Sequence, residues 1–363
     1  MVWRTDEQKR ASGCFLQRRR VAENYHGIPG GLERRSQTLR LDRHGGLNHG
    51  EALSLPSDSR TNSTRLHPTT QPKKEESIVQ LLPGHYTSAN IYLVEACSNL
   101  DTDLQQAVLV ANNLVQCGKT EIDPTTGILG TCPSGSTGKG EVSMSWGGDE
   151  FLGETASDAC ATLDDSCFTT PNVVYFASAG DSPGTEWPGT SVNVVSAGGT
   201  TNERYNSGPN KFQWENEAAW VFTGDGQSFY EPIPSYQSGI SSIVGAWRGV
   251  PDLSFVADPY TGVYVYDTFP IDGFYYYEWL VVGGTSVSSP SLAGIVNNAA
   301  GRSGGSFAAS SNAELTKIYA NRTVAADFRD IAYGFCGYYM GYVSVAGWDF
   351  CTGVGVPVGY AGK

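Results

Sequence analysis

The residues best suited to chemistry lie in one stretch, residues 283–294, reading Gly-Gly-Thr-Ser-Val-Ser-Ser-Pro-Ser-Leu-Ala-Gly. An apolar run at 279–282 precedes it and reads as a buried strand, and residues 292–296 have helical character. A serine at a strand-to-helix junction sits near the positive end of the helix, beside free backbone donors. That position suits a nucleophile whose product is an oxyanion. Ser286, with Pro290 four residues on, is the candidate. A competing reading makes Gly-Thr-Ser a turn, with Ser288 or Ser289 satisfying the helix amides. The stretch alone does not choose between the two.

The elements that must hold this stretch follow from periodicity. Residues 91–96 read as a buried strand, and Leu100, Leu104, Ala107, Val108, Ala111, Leu114 and Val115 recur at helical spacing behind acidic Asp101 and Asp103. Further strands are expected at 142–146, 173–179 and 192–197, separated by a Gly/Ser/Thr/Pro-rich loop at 118–140 and by other connections. Strands alternating with helices predict an α/β fold, a parallel sheet with helices on both faces. Ligands of such sheets bind at the strands' carboxyl ends, where Trp146-Gly147-Gly148, Gly180-Asp181-Ser182 and Gly198-Gly199-Thr200 fall. Residues 202–272 read as long surface loops and short strands.

Charge divides the chain. Residues 1–76 hold 14 of the 24 basic and 9 of the 37 acidic residues, with three aromatics, so the remainder carries a net −18. Helical and strand periodicity are both missing from this first segment, which cannot bury enough surface to offset its ordering entropy. Residues 1–77 are therefore expected to be irregular: a disordered or mistranslated segment, with a basic arm for an anionic partner as the remaining option. Residues 78–363 form the folded domain. An overall charge of −13 disfavours nucleic acid as a partner. No stretch approaches the roughly 18 apolar residues of a membrane span, and the N-terminus has no apolar signal-peptide core. A monomer is expected. Eight cysteines without a Cys-x-x-Cys argue against a zinc ribbon. Seven scatter through the folded part as in secreted disulfide proteins, and Cys336 with Cys351 and Cys160 with Cys167 are the pairs to test.

A serine nucleophile needs a base. The five histidines are His26, His44, His49, His67 and His85, so the folded body cannot supply a Ser-His-Asp triad unless His85 or the preceding arm reaches in. Gly-x-Ser-x-Gly is also missing around Ser286. The base should be a carboxylate. Gly135-Ser136-Thr137-Gly138-Lys139-Gly140 looks like a phosphate loop but has Gly140 where Ser or Thr is required, and reads as a flexible loop.

From about residue 89 to the C-terminus the chain resembles the sedolisins, serine-carboxyl peptidases that share the subtilisin fold. Four blocks match in order: residues 142–148, like the family's substrate-binding strand; 177–182, like the block of its oxyanion-hole aspartate; 283–294, like its catalytic-serine block; and 330–331 with 346–353, like its C-terminal calcium site. The resemblance implies a subtilisin-like parallel sheet with a C-terminal calcium-site loop. It makes Ser286 the nucleophile and Asp181 the oxyanion-hole acid, protonated so that it can donate rather than repel. Ser145, Trp146 and Gly147 would bind substrate, a peptide or unfolded protein. Asp330 and Asp349, with backbone carbonyls of Ile331, Val345 and Gly347, would hold one structural Ca²⁺ through hard oxygen donors. An extracellular location is expected from the family and the cysteine usage.

One departure matters. The family carries a Glu-x-x-x-Asp pair on a helix ahead of the strand corresponding to 91–96, the Glu taking the serine proton. Those positions fall near Lys74 and Ile78, neither acidic. Glu75 and Glu76 are adjacent and cannot reproduce the spacing; Glu154 and Asp158 have it in the wrong place; Glu95 and Asp101 read as a strand-end residue and a helix-start acid. Three readings follow: an acid-favouring serine endopeptidase with a weakened or lost activity, a peptide-binding relative that does not cleave, and a subtilisin-like enzyme using His85.

Overall fold

The computed structural model describes residues 89–96, 98–117, 132–133, 135–154, 167–204, 214–267, 278–302 and 304–363, and the backbone of three strands, Gln17–Ala22, Gln37–Leu41 and Leu47–His49. Lys74, Ile78, His85, Asp158 and Cys160 lie outside these residues.

The site is carried by a parallel sheet. Its strands are β2 (Gly140–Met144), β3 (Val173–Ser178), β4 (Val195–Arg204) and β8 (Leu253–Val256), in the order β8-β4-β3-β2, with β5 (Trp214–Ala219) antiparallel to β4. Every residue of β3 is buried, because alternate side chains feed two cores. Val174 and Phe176 join Leu292, Ala293 and Val296 of α2 (Thr285–Gly301) and Leu315 and Ile318 of α3 (Ser311–Ala320). Val173, Tyr175 and Ala177 join Val108 of α1 (Asp101–Cys117), with Val142 and Met144. Helices thus cover both faces, as the α/β pattern predicts. Buried Arg248, the second residue of β7 (Trp247–Val250), ties that strand to the turn leading into β8. Its guanidinium donates to Asp252 Oδ1 and Oδ2 at 3.1 and 2.8 Å and to the carbonyl of Val194 at 2.9 Å, and Tyr319 donates to Asp252 at 2.9 Å.

Several expectations are corrected. The run at 279–282 is not a buried strand: among the described residues β10 (Glu278–Val282) pairs only with β9 (Val263–Asp267), as an antiparallel ribbon, with Trp279 and Val281 exposed. Gly198 and Gly199 do not follow a strand but lie inside β4, aligned with Ser254 and Phe255. A Cβ on Gly198 would fall 2.5 Å from Pro251, and one on Gly199 2.7 Å from Ala257, so both glycines serve close packing. Strand β1 (Ile91–Glu95) is only half-buried and pairs antiparallel with Gln17–Ala22 rather than entering the parallel sheet. The three N-terminal strands arise where no strand periodicity is visible, carried by backbone pairing. Glu95 ends β1 and Asp101 opens α1, as expected. Cys336 is bonded to Cys351, as expected, and Cys117 to Cys132, a pair not anticipated. The 135–140 loop docks on the end of α1, Gly138 N donating to the Gln116 carbonyl at 3.0 Å.

Candidate active site

Helix α2 begins at Thr285, earlier than its apolar residues suggest, with Gly284 (φ 91°) as a cap that offers no side chain. Ser288 and Ser289 consequently lie inside the helix rather than capping it, and Ser289 Oγ pairs with Ser143 Oγ of β2 at 2.8 Å. Ser286, half-buried, is the second residue of the helix.

Asp181 follows the carboxyl end of β3 and reaches this helix start. Its Oδ1 accepts from Thr285 N at 2.7 Å and from Thr285 Oγ1 at 2.8 Å, while Thr285 Oγ1 accepts from Gly180 N at 3.3 Å. The other oxygen, Oδ2, lies where a Cβ on Gly284 would come within 2.6 Å, so only glycine leaves room for the carboxyl. Asp181 is therefore held at the same edge of the sheet as Ser286, bonded to the residue directly before it.

Ser145, just beyond β2, completes the frame. Pro290 has no N–H to donate to the carbonyl four residues back. That carbonyl belongs to Ser286, and Ser145 Oγ donates to it at 3.2 Å. Trp146 stacks obliquely on Trp187 with ring centroids 5.6 Å apart. Gly147 faces Glu186: a Cβ there would sit 2.5 Å from Glu186 Oε2, and one on Gly180 2.9 Å from the same carboxyl. Burial raises the Glu186 pKa, and the neighbouring carboxylates Asp181 and Asp149 raise it further. Glu186 and Thr285 had not been singled out in the sequence. Only the Gly-Thr-Ser spelling pointed towards Thr285, and nothing local marked Glu186.

A second acidic group borders the site. Glu150 accepts from Thr185, from Ser228 Oγ at 2.5 Å and from Phe229 N at 3.2 Å. Fully buried Glu154 accepts from Phe151 N at 3.2 Å and Thr190 Oγ1 at 3.4 Å. Burial pushes its pKa up to about 8, helped by a hydrogen bond to Glu150 and by the charges of Glu150 and Glu231. This group ties the Asp181 loop to β6 (Gly226–Pro232).

At the C-terminal end, Asp330 and Asp349 are joined by one loop. Val345 N donates to Asp349 Oδ2 at 3.0 Å and Gly347 N to Asp330 Oδ2 at 2.7 Å. Asp349 is buried and its Oδ1 also accepts from the backbone of Cys351 and Thr352. Ile331 is buried, whereas Asp330, Val345 and Gly347 are exposed. Among the described residues, no group of three or more His, Cys, Asp or Glu side chains is arranged to hold a metal. No described helix is long and apolar enough to cross a membrane.

Ser286 thus stands at a helix start on the carboxyl edge of an α/β parallel sheet, with an acid from the end of a second strand bonded to the residue before it. No family model matches the chain. It is 32% identical to sedolisin of Pseudomonas sp. (strain 101) over 176 residues, 47% of this chain and 28% of that protein. It is likewise 32% identical to kumamolisin of Bacillus sp. (strain MN-32) over 250 residues, 60% of this chain and 41% of that protein. The solved structure of Pseudomonas sedolisin, a serine-carboxyl proteinase complexed with two molecules of pseudo-iodotyrostatin, superposes with a TM-score of 0.51 at 26% identity. It covers 72% of this chain and 68% of that one. The chain is thus similar in sequence to sedolisin and kumamolisin and in α/β fold to the sedolisin structure. The chain spans less than half the length of the two curated relatives.

Proposed function

We propose that this protein is a serine-carboxyl endopeptidase in which Ser286 Oγ attacks a peptide carbonyl and Asp181 receives the oxyanion. The observation that carries the reading is the double hydrogen bond from Thr285 to Asp181 Oδ1. With Oδ1 occupied as an acceptor, the proton of a neutral Asp181 belongs on Oδ2, free to be donated to the tetrahedral oxyanion. The Ser286 Oγ–C bond forms as its proton passes to a base; collapse breaks the C–N bond, the amine leaves with a proton, and water hydrolyses the acyl-enzyme. Peptide or unfolded protein is the substrate, with Ser145, Trp146 and Gly147 lining its path.

The base is the weak point of this chain, because Lys74 and Ile78 stand where the family's carboxylates are expected. A serine lacking its base loses on the order of 10⁴-fold or more in rate. That same observation favours a second reading, a relative that binds peptides without cleaving them. Cleavage of an unfolded protein at acidic and neutral pH separates the two. Slow acid-favouring cleavage lost in Ser286→Ala supports the peptidase; peptide binding with no Ser286-dependent cleavage supports the second; neutral cleavage abolished by His85→Gln would overturn both.

Asp330 and Asp349, with the carbonyls of Ile331, Val345 and Gly347, fit one Ca²⁺ in kind. The observation behind this is two carboxylates tied to a single loop, with oxygen donors throughout. The ion would supply stability, not chemistry. Chelation with EGTA is expected to lower the melting temperature by several degrees, and added Ca²⁺ to restore it; an unchanged melting temperature would remove the ion from the account.

A further inference from the structure

The carboxyl edge of the sheet carries more than the acid and the serine. In the order β8-β4-β3-β2, Ser145–Gly147 follows β2 and Asp181 follows β3. On the other side of Asp181, over the ends of β4 and β8, opens a cleft of about 640 Å³. Its size falls within the range of ligand clefts. Four exposed aromatic side chains line it, Phe222, Tyr260, Tyr333 and Phe335, over a floor that includes Trp220 and Pro259. Such a concentration of exposed apolar surface marks a binding site. Thr201 Oγ1 donates to Asp258 Oδ2 at 2.9 Å and Tyr260 N to Asp258 Oδ1 at 2.9 Å, which leaves the buried Ser344 Oγ as an unpaired hydroxyl in a largely apolar lining. Its lining therefore asks for an apolar ligand.

Both walls are bonded to the site. Gly224 N, two residues beyond Phe222, donates to the Gly180 carbonyl at 2.9 Å, directly before Asp181. Gly284 N donates to the Ala257 carbonyl at 2.5 Å, joining the Asp258–Tyr260 wall to the start of α2. A peptide laid along the sheet edge, with its acyl part over Ser145–Gly147, would pass Ser286 and continue towards the cleft. Two strand spacings are about 10 Å, the reach of about three extended residues.

We propose that this cleft is a subsite for an aromatic or large aliphatic side chain within three residues of the scissile bond, on the leaving-group side. The inference rests on the peptide-substrate reading and adds the chemistry of one subsite to it. Two tripeptide amides with free amino termini, Ala-Phe-Phe-NH₂ and Ala-Ser-Ser-NH₂, mimic the leaving fragment. Their binding to the full chain carrying Ser286→Ala can be followed on the tryptophan indole resonances, with Trp220 assigned by Trp220→Phe. The aromatic probe is expected to bind at least tenfold tighter than the serine probe, to shift the Trp220 signal, and to lose at least tenfold in affinity in Phe222→Ser/Tyr333→Ser. Near-ultraviolet circular dichroism verifies that this double variant is folded. Equal binding of the two probes, or undiminished aromatic binding in a folded double variant, would overturn the subsite. A ¹³C-labelled peptide aldehyde tests the wild-type serine in parallel. An aldehyde adduct without tripeptide binding rejects the subsite and leaves the peptidase standing; tripeptide binding without an adduct does the reverse.

Discussion

Gly284 shows how tightly single residues are specified at this site. Its φ of 91° suits glycine, and any Cβ would meet Asp181 Oδ2 at 2.6 Å. Gly284→Ala is accordingly expected to displace the acid from the helix start. Losing one oxyanion donor costs about 10²–10³-fold in turnover, so affinity for a peptide aldehyde should fall by about that factor while the chain remains folded. An unchanged affinity would mean that Asp181 does not act through the position it occupies here. The Gly-Thr-Ser spelling made the serine visible in the sequence. Its partner was legible only through the resemblance, because Asp181 and Ser286 come from distant stretches and nothing local in Ala-Gly-Asp-Ser separates an oxyanion acid from a turn aspartate. Glu186 was harder still, since its environment is made by Gly147 and Gly180 and not by its own neighbours.

At the scale of elements, helix α2 is held by a repair. Pro290 leaves the Ser286 carbonyl without its helical donor, and Ser145 supplies one from the neighbouring strand end. Ser145→Ala should cost about 1 kcal/mol in denaturant unfolding. In a Pro290→Ala background, where a backbone N–H returns, the same change should cost measurably less; equal costs would refute the coupling. Periodicity located β2, β3 and α1 well because each buries a regular face. It misjudged β10, whose apolar composition suggests burial although Trp279 and Val281 face solvent on a two-stranded ribbon. It also stopped β4 short, since Gly198 and Gly199 look like a turn until the crowding by Pro251, Trp220 and Ala257 is seen. Tertiary contact, which a local pattern cannot register, made both differences.

Taken whole, the fold holds several buried carboxyls above their ordinary pKa. Burial is the first cause of a raised pKa at Glu154 (about 8), Glu141 (about 7) and Asp225 (about 6), and it also raises Glu186 and Glu314. A carboxyl whose folded pKa exceeds its unfolded one holds its proton more tightly in the fold, so its contribution is complete below about pH 4.5 and is lost as pH rises through the folded value. The melting temperature is therefore expected to decline between about pH 4.5 and 8. Glu154→Gln, neutral at every pH, should flatten the upper part of that decline; an unaltered profile would show that the Glu150–Glu154–Glu231 group does not govern it. The net −18 beyond residue 76 is visible in the sequence, but which carboxyls are buried emerges only from the fold. The most direct test of the central claim does not require the missing base. A peptide aldehyde labelled with ¹³C at its carbonyl should give a hemiacetal resonance with the wild-type chain in acid, absent from Ser286→Ala and much weakened in Asp181→Ala. A wild-type chain that forms no adduct, or an adduct that survives Ser286→Ala, would contradict the account.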